Sequence, residues 1–373
     1  MSKIYFDNVS TTSLNKDVQK TYFELLDRYY CNSDALYNDG VEVFNLQEKA
    51  RENISNLIGV KSNEIIFTSG ASEANNLAIK GLCFKHPLKK HIVTSIYEHS
   101  SAYNAIKQLE TEFGYKVTYL KPNKDGVIEP QDVKDALTSD TILVSIMFVN
   151  NEVGTINNIE EIKKIVKKNS GTYFHSDLTQ GFCKEDINLN DIDLASFSAH
   201  KIHGLKGSGA LIKKSHVELL PLISGGQQEW GIRGGTSNAV VNIVLAKTVR
   251  IALENKEKYR EYLKELRDYF INKVSSINGV EMHLYNRSLK TLFSITTPVP
   301  SEVLVNGFNN KDIMISSKST CSSKSKNTNR TLYNLGIDED HTVRVSLDFN
   351  NTKDEIDIFV EVLKDLINNY GKY

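Results

Sequence analysis

An α/β protein, with a largely parallel sheet covered by helices on both faces and a second domain after it, is the fold class that this 373-residue chain predicts. Three observations predict it. Between residues 64 and 177 short β-branched runs alternate with amphipathic helical stretches, the order expected of βαβ units. Two closely spaced strand candidates then flank a glycine-rich turn, which predicts an antiparallel edge to the sheet. From about Asn238 the pattern changes to one long helical stretch, and at about 100–200 residues per domain the length leaves room for a second unit.

Taken in order, "EIIFTSG" (64–70) reads as a strand, "SEANNLAIKGL" (72–82) as a helix and "HIVTS" (91–95) as a strand. The helix "SAYNAIKQLETEFG" (101–114), strand "KVTYL" (116–120) and helix "PQDVKDAL" (130–137) follow. Strand "TILVSIMFV" (141–149), helix "IEEIKKIVKKN" (159–169) and strand "TYFHSD" (172–177) complete the alternation. "LASFS" (194–198) and "ALIKK" (210–214) are the close pair, with "GLKGSG" between them. The helical stretch "AKTVRIALENKEKYREYLKELRDYFINKV" (246–274) leads into strand candidates "LFSITTP", "IMISS" and "VRVSLDF", and "KDEIDIFVEVLKDLINNY" (353–370) closes the chain as a helix.

Composition excludes several classes of function. A net charge of -1, with 24% charged and 40% hydrophobic residues, gives no electrostatic reason to expect nucleic acid or an anionic membrane as partner. The N-terminus lacks the apolar stretch of a secretory signal, and the longest apolar run is far too short to span a bilayer, so a cytosolic protein is expected. Four cysteines, Cys31, Cys83, Cys183 and Cys321, are scattered without a C-x-x-C pair, which argues against a zinc knuckle or a disulfide framework. Cys321 stands apart from the other three. It sits in "SSKSTCSSKSK" (316–326), among serines and lysines with no apolar residue near enough to bury it.

Three stretches carry chemistry. In "FTSGASEANN" (67–76) a strand ends and a helix begins with small residues, so unpaired backbone N–H groups and the Ser72 hydroxyl can receive an anion such as phosphate. An ordinary serine helix cap fits the same letters. In "FHSDLTQ", Asp177 stands just past an apolar-rich strand, where open α/β sheets bind ligands; it can hold a cationic ring nitrogen, with Gln180 beside a neighbouring oxygen, or merely cap a turn. In "LASFSAHKIHGLKGSGALI", Lys201 follows Ser198, Ala199 and His200 into a glycine-rich turn, a setting for a Schiff-base amine, although a surface lysine is the commoner case. Together the three offer what a protein must give pyridoxal phosphate: a phosphate cradle, a carboxylate for the pyridinium and a lysine for the aldehyde.

Over nearly its whole length the sequence resembles the class V, fold-type I pyridoxal-phosphate enzymes, and among them the NifS/IscS-like cysteine desulfurases. The resemblance rests on nine motifs in the family's order: "YFDNVSTTS", "EIIFTSGASEANNLAIKG", "EHSSAY", "TILVSIMFVNNEVGTI", "HSDLTQ", "SFSAHKIHGLKGSGAL", "GGQQEWGIRGGTSN", "SSKSTCSS" and "VRVSLDFNNTKDEID". It implies a large cofactor-binding domain over 14–255, built on a mostly parallel seven-stranded sheet. It also implies a smaller α+β domain from 1–13 together with 256–373, which carries the cysteine loop.

Residue by residue, the resemblance implies that Lys201 binds the cofactor aldehyde and Asp177 its ring nitrogen. Gln180 and Asn151 would contact the phenolate oxygen, Asn151 also the substrate, and His99 would stack on the ring and shuttle protons. Ala71, Ser72, Ser198 and His200 match phosphate ligands, and Thr236 matches one supplied by the other subunit, which implies a homodimer. Arg344 resembles the arginine that grips the substrate carboxylate. Cys321 aligns with the nucleophile that takes sulfur from L-cysteine and hands it to an acceptor, an iron–sulfur scaffold or a tRNA-thiolation protein. Lys318, Lys324 and Lys326 would favour its thiolate, weakly through water.

The sequence also departs from the family. "NSDALYNDG" puts Ser33 where relatives have proline and Tyr37 where they have histidine, with Asp34 nearby, and Lys318 replaces a glycine of the cysteine loop. Leu178, where relatives have alanine, is expected to press on the cofactor face. These changes keep two alternatives open: a selenocysteine lyase or another class V enzyme of altered substrate, and a weakened homologue that serves as a binding partner.

Overall fold

The computed structural model describes residues 3–317 and 328–371. In chain order its strands are β1 (Ile4–Tyr5), β2 (Ile65–Thr68), β3 (His91–Ser95), β4 (Lys116–Leu120), β5 (Thr141–Ser145), β6 (Tyr173–Asp177), β7 (Leu194–Ser198), β8 (Gly209–Lys213), β9 (Glu281–His283), β10 (Leu292–Thr296), β11 (Ile313–Met314) and β12 (Thr342–Ser346). Seven of them form one sheet in the order β2-β8-β7-β6-β5-β3-β4. Strand β8 runs antiparallel to both neighbours, and the remaining pairs are parallel.

The mostly parallel sheet agrees with the sequence expectation, with three differences. The antiparallel strand is not at the edge: β2 pairs outside β8 and restores the common direction. The run 141–149 stops pairing with β3 after Ser145, where the Met147 amide donates to the Glu98 carboxylate (3.0 Å), while the Ile146 and Phe148 amides still donate to His175 O (3.1 Å) and Asp177 O (2.9 Å) of β6. The long helical stretch is two helices, Ala239–Glu254 and Lys256–Val274, interrupted at Asn255, whose side-chain amide donates to Ile251 O (2.9 Å) in competition with the backbone ladder.

Apolar residues fill both faces of this sheet, which explains why its central strands read as continuous hydrophobic runs. A separate apolar cluster lies in the C-terminal part, where Phe270, Phe293, Phe308 and Phe359 pack with Ile4 and Phe6. Strand β12 pairs antiparallel with β10, which pairs with β9. The N-terminus joins this part because β1 pairs parallel with β11. That pairing lays Asp7 beside Ser346, so residues 3–10 run past the end of β12 and into the mouth of the large sheet.

Candidate active site

The strands β2, β3, β5, β6 and β7 share one direction, and the segments leaving their carboxyl ends line a cleft of about 550 Å³. Open α/β sheets bind ligands there. The cleft takes Ser69 to Ser72 from the end of β2, His99 from beyond β3, Asn151 from beyond β5, Asp177 and Gln180 from β6, and Ser198, His200 and Lys201 from β7; Arg344 of β12 closes the far side.

At the floor, Asp177 is the last residue of β6 and is almost fully buried. Its Oδ2 accepts from Asn75 Nδ2 (2.7 Å) and its Oδ1 from the Thr179 amide (2.9 Å), so the carboxylate is held from two sides. His175, on the same strand, bonds Ser145 and Ser196 at 2.8 and 3.1 Å, and burial lowers its pKa to about 4, so it stays neutral beneath the site. Near Asp177, His99 accepts the Ser101 amide on Nδ1 (3.2 Å), which leaves the proton of its neutral form on Nε2. Burial holds its pKa below the usual imidazole range. Asp177 opposes this, while Lys201, Arg330 and Arg344 push the same way as burial.

The segment after β3 is itself pinned. Arg330 donates to Ile96 O and to Glu98 O, both at 3.2 Å, and lies 3.7 Å over the Tyr103 ring. Glu98, buried just before His99, accepts from Ser95 Oγ and from the Met147 amide, while its Oε2 has no partner. Burial raises its pKa to about 8, against those hydrogen bonds, so it carries a proton at neutral pH.

Lys201 Nζ donates to Val9 O (2.5 Å) and Ser10 O (2.6 Å), which keeps the amine at the cleft wall. The turn around Gly70 forms the other wall. Its φ of +144° suits glycine, and a Cβ there would come within 3.1 Å of Ser198 Oγ, which already accepts the Ala71 amide at 2.6 Å. Ser72 follows at the helix start, where backbone N–H groups lack intrahelical partners. Burial, with Lys201, Lys206 and Lys184 nearby, lowers the His200 pKa to about 4, so it offers a neutral ring.

The arrangement fits pyridoxal phosphate. Two buried oxygens that line the cleft, Gln180 Oε1 and Thr179 Oγ1, have no protein partner, as expected of groups that wait for a ligand. The cleft is wide enough for a ring with a phosphate, and it brings a helix start, a lysine amine and a carboxylate around one volume.

The opposite end is differently arranged. Arg344 is buried, and its Nη1 donates to Asn151 O (2.9 Å) and Glu152 Oε2 (3.5 Å), its Nη2 to Ser10 Oγ (2.8 Å) and Asp7 Oδ1 (3.2 Å). Its Nε has no partner. Asn151 Nδ2 donates to Glu152 Oε1 (2.9 Å).

The structure thus brings together Lys201, His99, Asp177, Gln180, Asn151, Ala71, Ser72, Ser198, His200 and Arg344. It does not bring Thr236 into this cleft: Thr236 lines a neighbouring hollow of about 190 Å³ that shares Ser69 and Gly207 with it. Cys321 and Lys318 lie outside the described residues. The expectation for Leu178 is corrected. Successive side chains in extended backbone point to opposite faces, so with Asp177 facing the cleft Leu178 faces the core, where it is fully buried and off the cleft lining. Tyr37 is half exposed and Asp34 accepts from Gln228 (2.6 Å), both away from this chain's cleft. Asn75, Asp7, Ser10 and Glu152 went unread in the sequence; of these only Asn75 left a signal, one helical turn beyond Ser72.

Comparisons with known proteins give the family of the chain. The aminotransferase class-V family model matches residues 4–359. The chain is similar to the cysteine desulfurase IscS of Dictyoglomus turgidum, 37% identical over 98% of this chain and 94% of the relative. Among solved structures it is similar to a NifS-like protein, with a TM-score of 0.92 and 31% identity over 98% of this chain and all of the other. It is also similar to SspA in complex with cysteine, with a TM-score of 0.81 and 33% identity over 94% of this chain and all of that one.

Proposed function

We propose a function from one premise: this chain belongs to the aminotransferase class-V family, and within it to the NifS/IscS-like cysteine desulfurases. The activity is removal of sulfur from L-cysteine to give L-alanine and a persulfide on Cys321. The observation that carries this reading is the convergence of Lys201, Asp177, His99 and Arg344 on one cleft. A relative of similar fold is known in complex with cysteine, which supports the substrate.

Pyridoxal phosphate, when bound, supplies an aldehyde for an amine and a ring that accepts electron density from the substrate Cα. Asp177, oriented by Asn75 and Thr179, holds a proton on the ring nitrogen. Ala71, Ser72, Ser198 and His200 hold the phosphate, and Gln180 and Asn151 face the ring oxygen. Lys201, once freed to act as a base, takes the Cα proton. His99, whose neutral form carries its proton on Nε2, would cover the ring and pass protons. Arg344 binds the substrate carboxylate. The Cys321 thiolate then forms an S–S bond to the substrate sulfur as the Cβ–S bond breaks; that electron pair stays with carbon, which takes up a proton on the way to alanine.

The remaining parts of the reading rest on the same family membership. A homodimer, with Thr236 completing the partner's phosphate site, is supported by the exposed apolar side chains of Tyr30 (84%), Leu36 (96%) and Trp230 (51%). The acceptor is an iron–sulfur scaffold or a tRNA-thiolation protein, and the compartment is the cytosol. Among the described residues no helix is long and apolar enough to cross a membrane. The division into 14–255 and 1–13 with 256–373 is supported by the second apolar cluster, whose buried residues all come from the latter two segments.

The test is sulfide and alanine release from L-cysteine by cofactor-loaded protein with a reducing thiol, against Cys321→Ala. Matching release by wild type and none by the variant is the expected outcome. Cofactor binding without sulfide release by wild type would sink the reading.

A further inference from the structure

Two cations of the cleft meet at a single residue, Ser10. Its carbonyl accepts from Lys201 Nζ (2.6 Å), and its hydroxyl accepts from Arg344 Nη2 (2.8 Å). All three residues line the cleft. An α-amino acid also carries its amino nitrogen and its carboxylate only a few bonds apart, so an amine and a guanidinium that share one residue are spaced for such a substrate.

Chemistry forces the direction of each hydrogen bond at the Ser10 hydroxyl. A guanidinium only donates and a carboxylate only accepts, so Ser10 Oγ takes a proton from Arg344 Nη2 and gives its own to Asp7 Oδ1 (2.8 Å). Nη2 also donates to Asp7 Oδ1 directly (3.2 Å), and Nη1 to Asn151 O (2.9 Å) and Glu152 Oε2 (3.5 Å). Nε is buried and has no partner. A carboxylate binds a guanidinium through two adjacent N–H groups. Nε and Nη2 form one edge of the guanidinium, so a substrate carboxylate that takes Nε needs an Nη2 proton as well. Of the two acceptors on Nη2, the Ser10 hydroxyl gives way at least cost: it is neutral and turns about one bond, whereas Asp7 balances the arginine charge.

The backbone around Ser10 is held on both sides. The Val9 amide donates to Ser346 Oγ (3.0 Å), Val9 O accepts from Gln180 Nε2 (3.1 Å), and the Thr12 amide donates to His200 O (2.9 Å). Rotation of the hydroxyl, rather than movement of the segment, is therefore the change that admits a substrate.

We propose that Ser10 is a specificity-determining residue for the substrate α-carboxylate: its hydroxyl yields Arg344 Nη2 and turns its proton from Asp7 to a carboxylate oxygen. The inference rests on the proposed function for the roles of Lys201 and Arg344. No covalent bond changes in this step; one hydrogen bond replaces another.

The test titrates L-alanine, the product of the proposed reaction, into cofactor-loaded protein and follows the cofactor absorbance. Ser10→Ala should weaken L-alanine by about tenfold or more, and Ser10→Thr, which keeps the hydroxyl, should bind within about threefold of wild type. L-Alaninamide, whose carboxamide carries no charge, should lose about threefold or less in Ser10→Ala, because a hydrogen bond to a neutral group is weaker. Cofactor affinity should match wild type in both variants. Unchanged or tighter L-alanine binding in Ser10→Ala would make the hydroxyl a mere occupant of Arg344 and overturn the proposal. Equal losses for L-alanine and L-alaninamide, no recovery in Ser10→Thr, or a parallel fall in cofactor affinity would overturn it too. Failure of the desulfurase reading would be seen separately, as no sulfide from L-cysteine while L-alanine binding still depends on Ser10.

Discussion

At the Asp177 end of the cleft polar oxygens keep accepting capacity in reserve, whereas at the Arg344 end both Nη groups are already engaged and only Nε is unpartnered. Gln180 Oε1, Thr179 Oγ1 and Asn75 Oδ1 are buried and unpartnered around a carboxylate fixed by two hydrogen bonds. Arg344, by contrast, spends both Nη groups on Asp7, Ser10, Asn151 O and Glu152. The first end is shaped for a resident group that never leaves. The second is a guanidinium whose charge is balanced by protein acids, and under the proposed function it exchanges these acceptors for a substrate carboxylate. A buried arginine left without acceptors would cost several kcal/mol, so the acidic holders keep the empty site stable.

Two substitutions sharpen this contrast. Arg344→Lys removes the planar fork, so the KM for L-cysteine should rise about 100-fold while cofactor affinity, followed by absorbance titration, stays near wild type. Asn75→Leu removes a 2.7 Å hydrogen bond to the carboxylate, and such bonds contribute about 1.5–3 kcal/mol, so cofactor affinity and kcat should fall by roughly ten- to a hundredfold with KM little changed. If both variants moved KM and cofactor affinity together, the two ends would not be separable and the comparison would fail.

The same contrast explains what could be read in the sequence. The Asp177 end was legible because its residues stand at the ends of β-branched runs with strand length, where a doubly wound sheet puts ligands. The acidic holders of Arg344 were not. Asp7 and Glu152 lie 337 and 192 residues away in the chain, and only the β1–β11 pairing and the turn after β5 bring them in. Asn255, whose amide splits one apparent helix into two, shows the same limit at the level of elements, since a polar residue at one position does not alter the apolar period around it. The antiparallel pair β7 and β8 was legible from spacing, but its place inside β2 depends on a pairing between residues about 145 apart in sequence.

A smaller effect is expected at Arg330, which links the floor of the cleft to residues just beyond the cysteine loop. Its positive charge helps to lower the His99 pKa, behind burial and Lys201. With Arg330→Leu the His99 pKa should rise, so the ring would take a proton at higher pH and the acid limb of the kcat/KM profile should move upward. Arg330→Lys keeps the charge and should restore the wild-type limb even if the contacts to Ile96 O and Glu98 O are poorer. A limb that stays fixed in both variants would confine Arg330 to packing on Tyr103.

The smallest effect concerns stability alone. Glu98 has its carboxyl raised to about 8 by burial, against an ordinary value of 4.5. Between those two values the folded chain holds a proton that the unfolded chain has released, so this site's contribution is fully present below pH 4.5 and is lost as pH rises towards 8. Glu98→Gln keeps the shape of the protonated acid and does not titrate. The melting midpoint of the variant relative to wild type should therefore climb from pH 5 to pH 8 by a few degrees, since one kcal/mol shifts a chain of this size by about 2 °C. His175 and His200, neutral with pKa values of about 4, act in the opposite sense below pH 6.5, but they are present in both proteins and cancel in the difference. A difference that stays flat across this range would mean that Glu98 is ionised in the fold, with Arg330 rather than a proton balancing it.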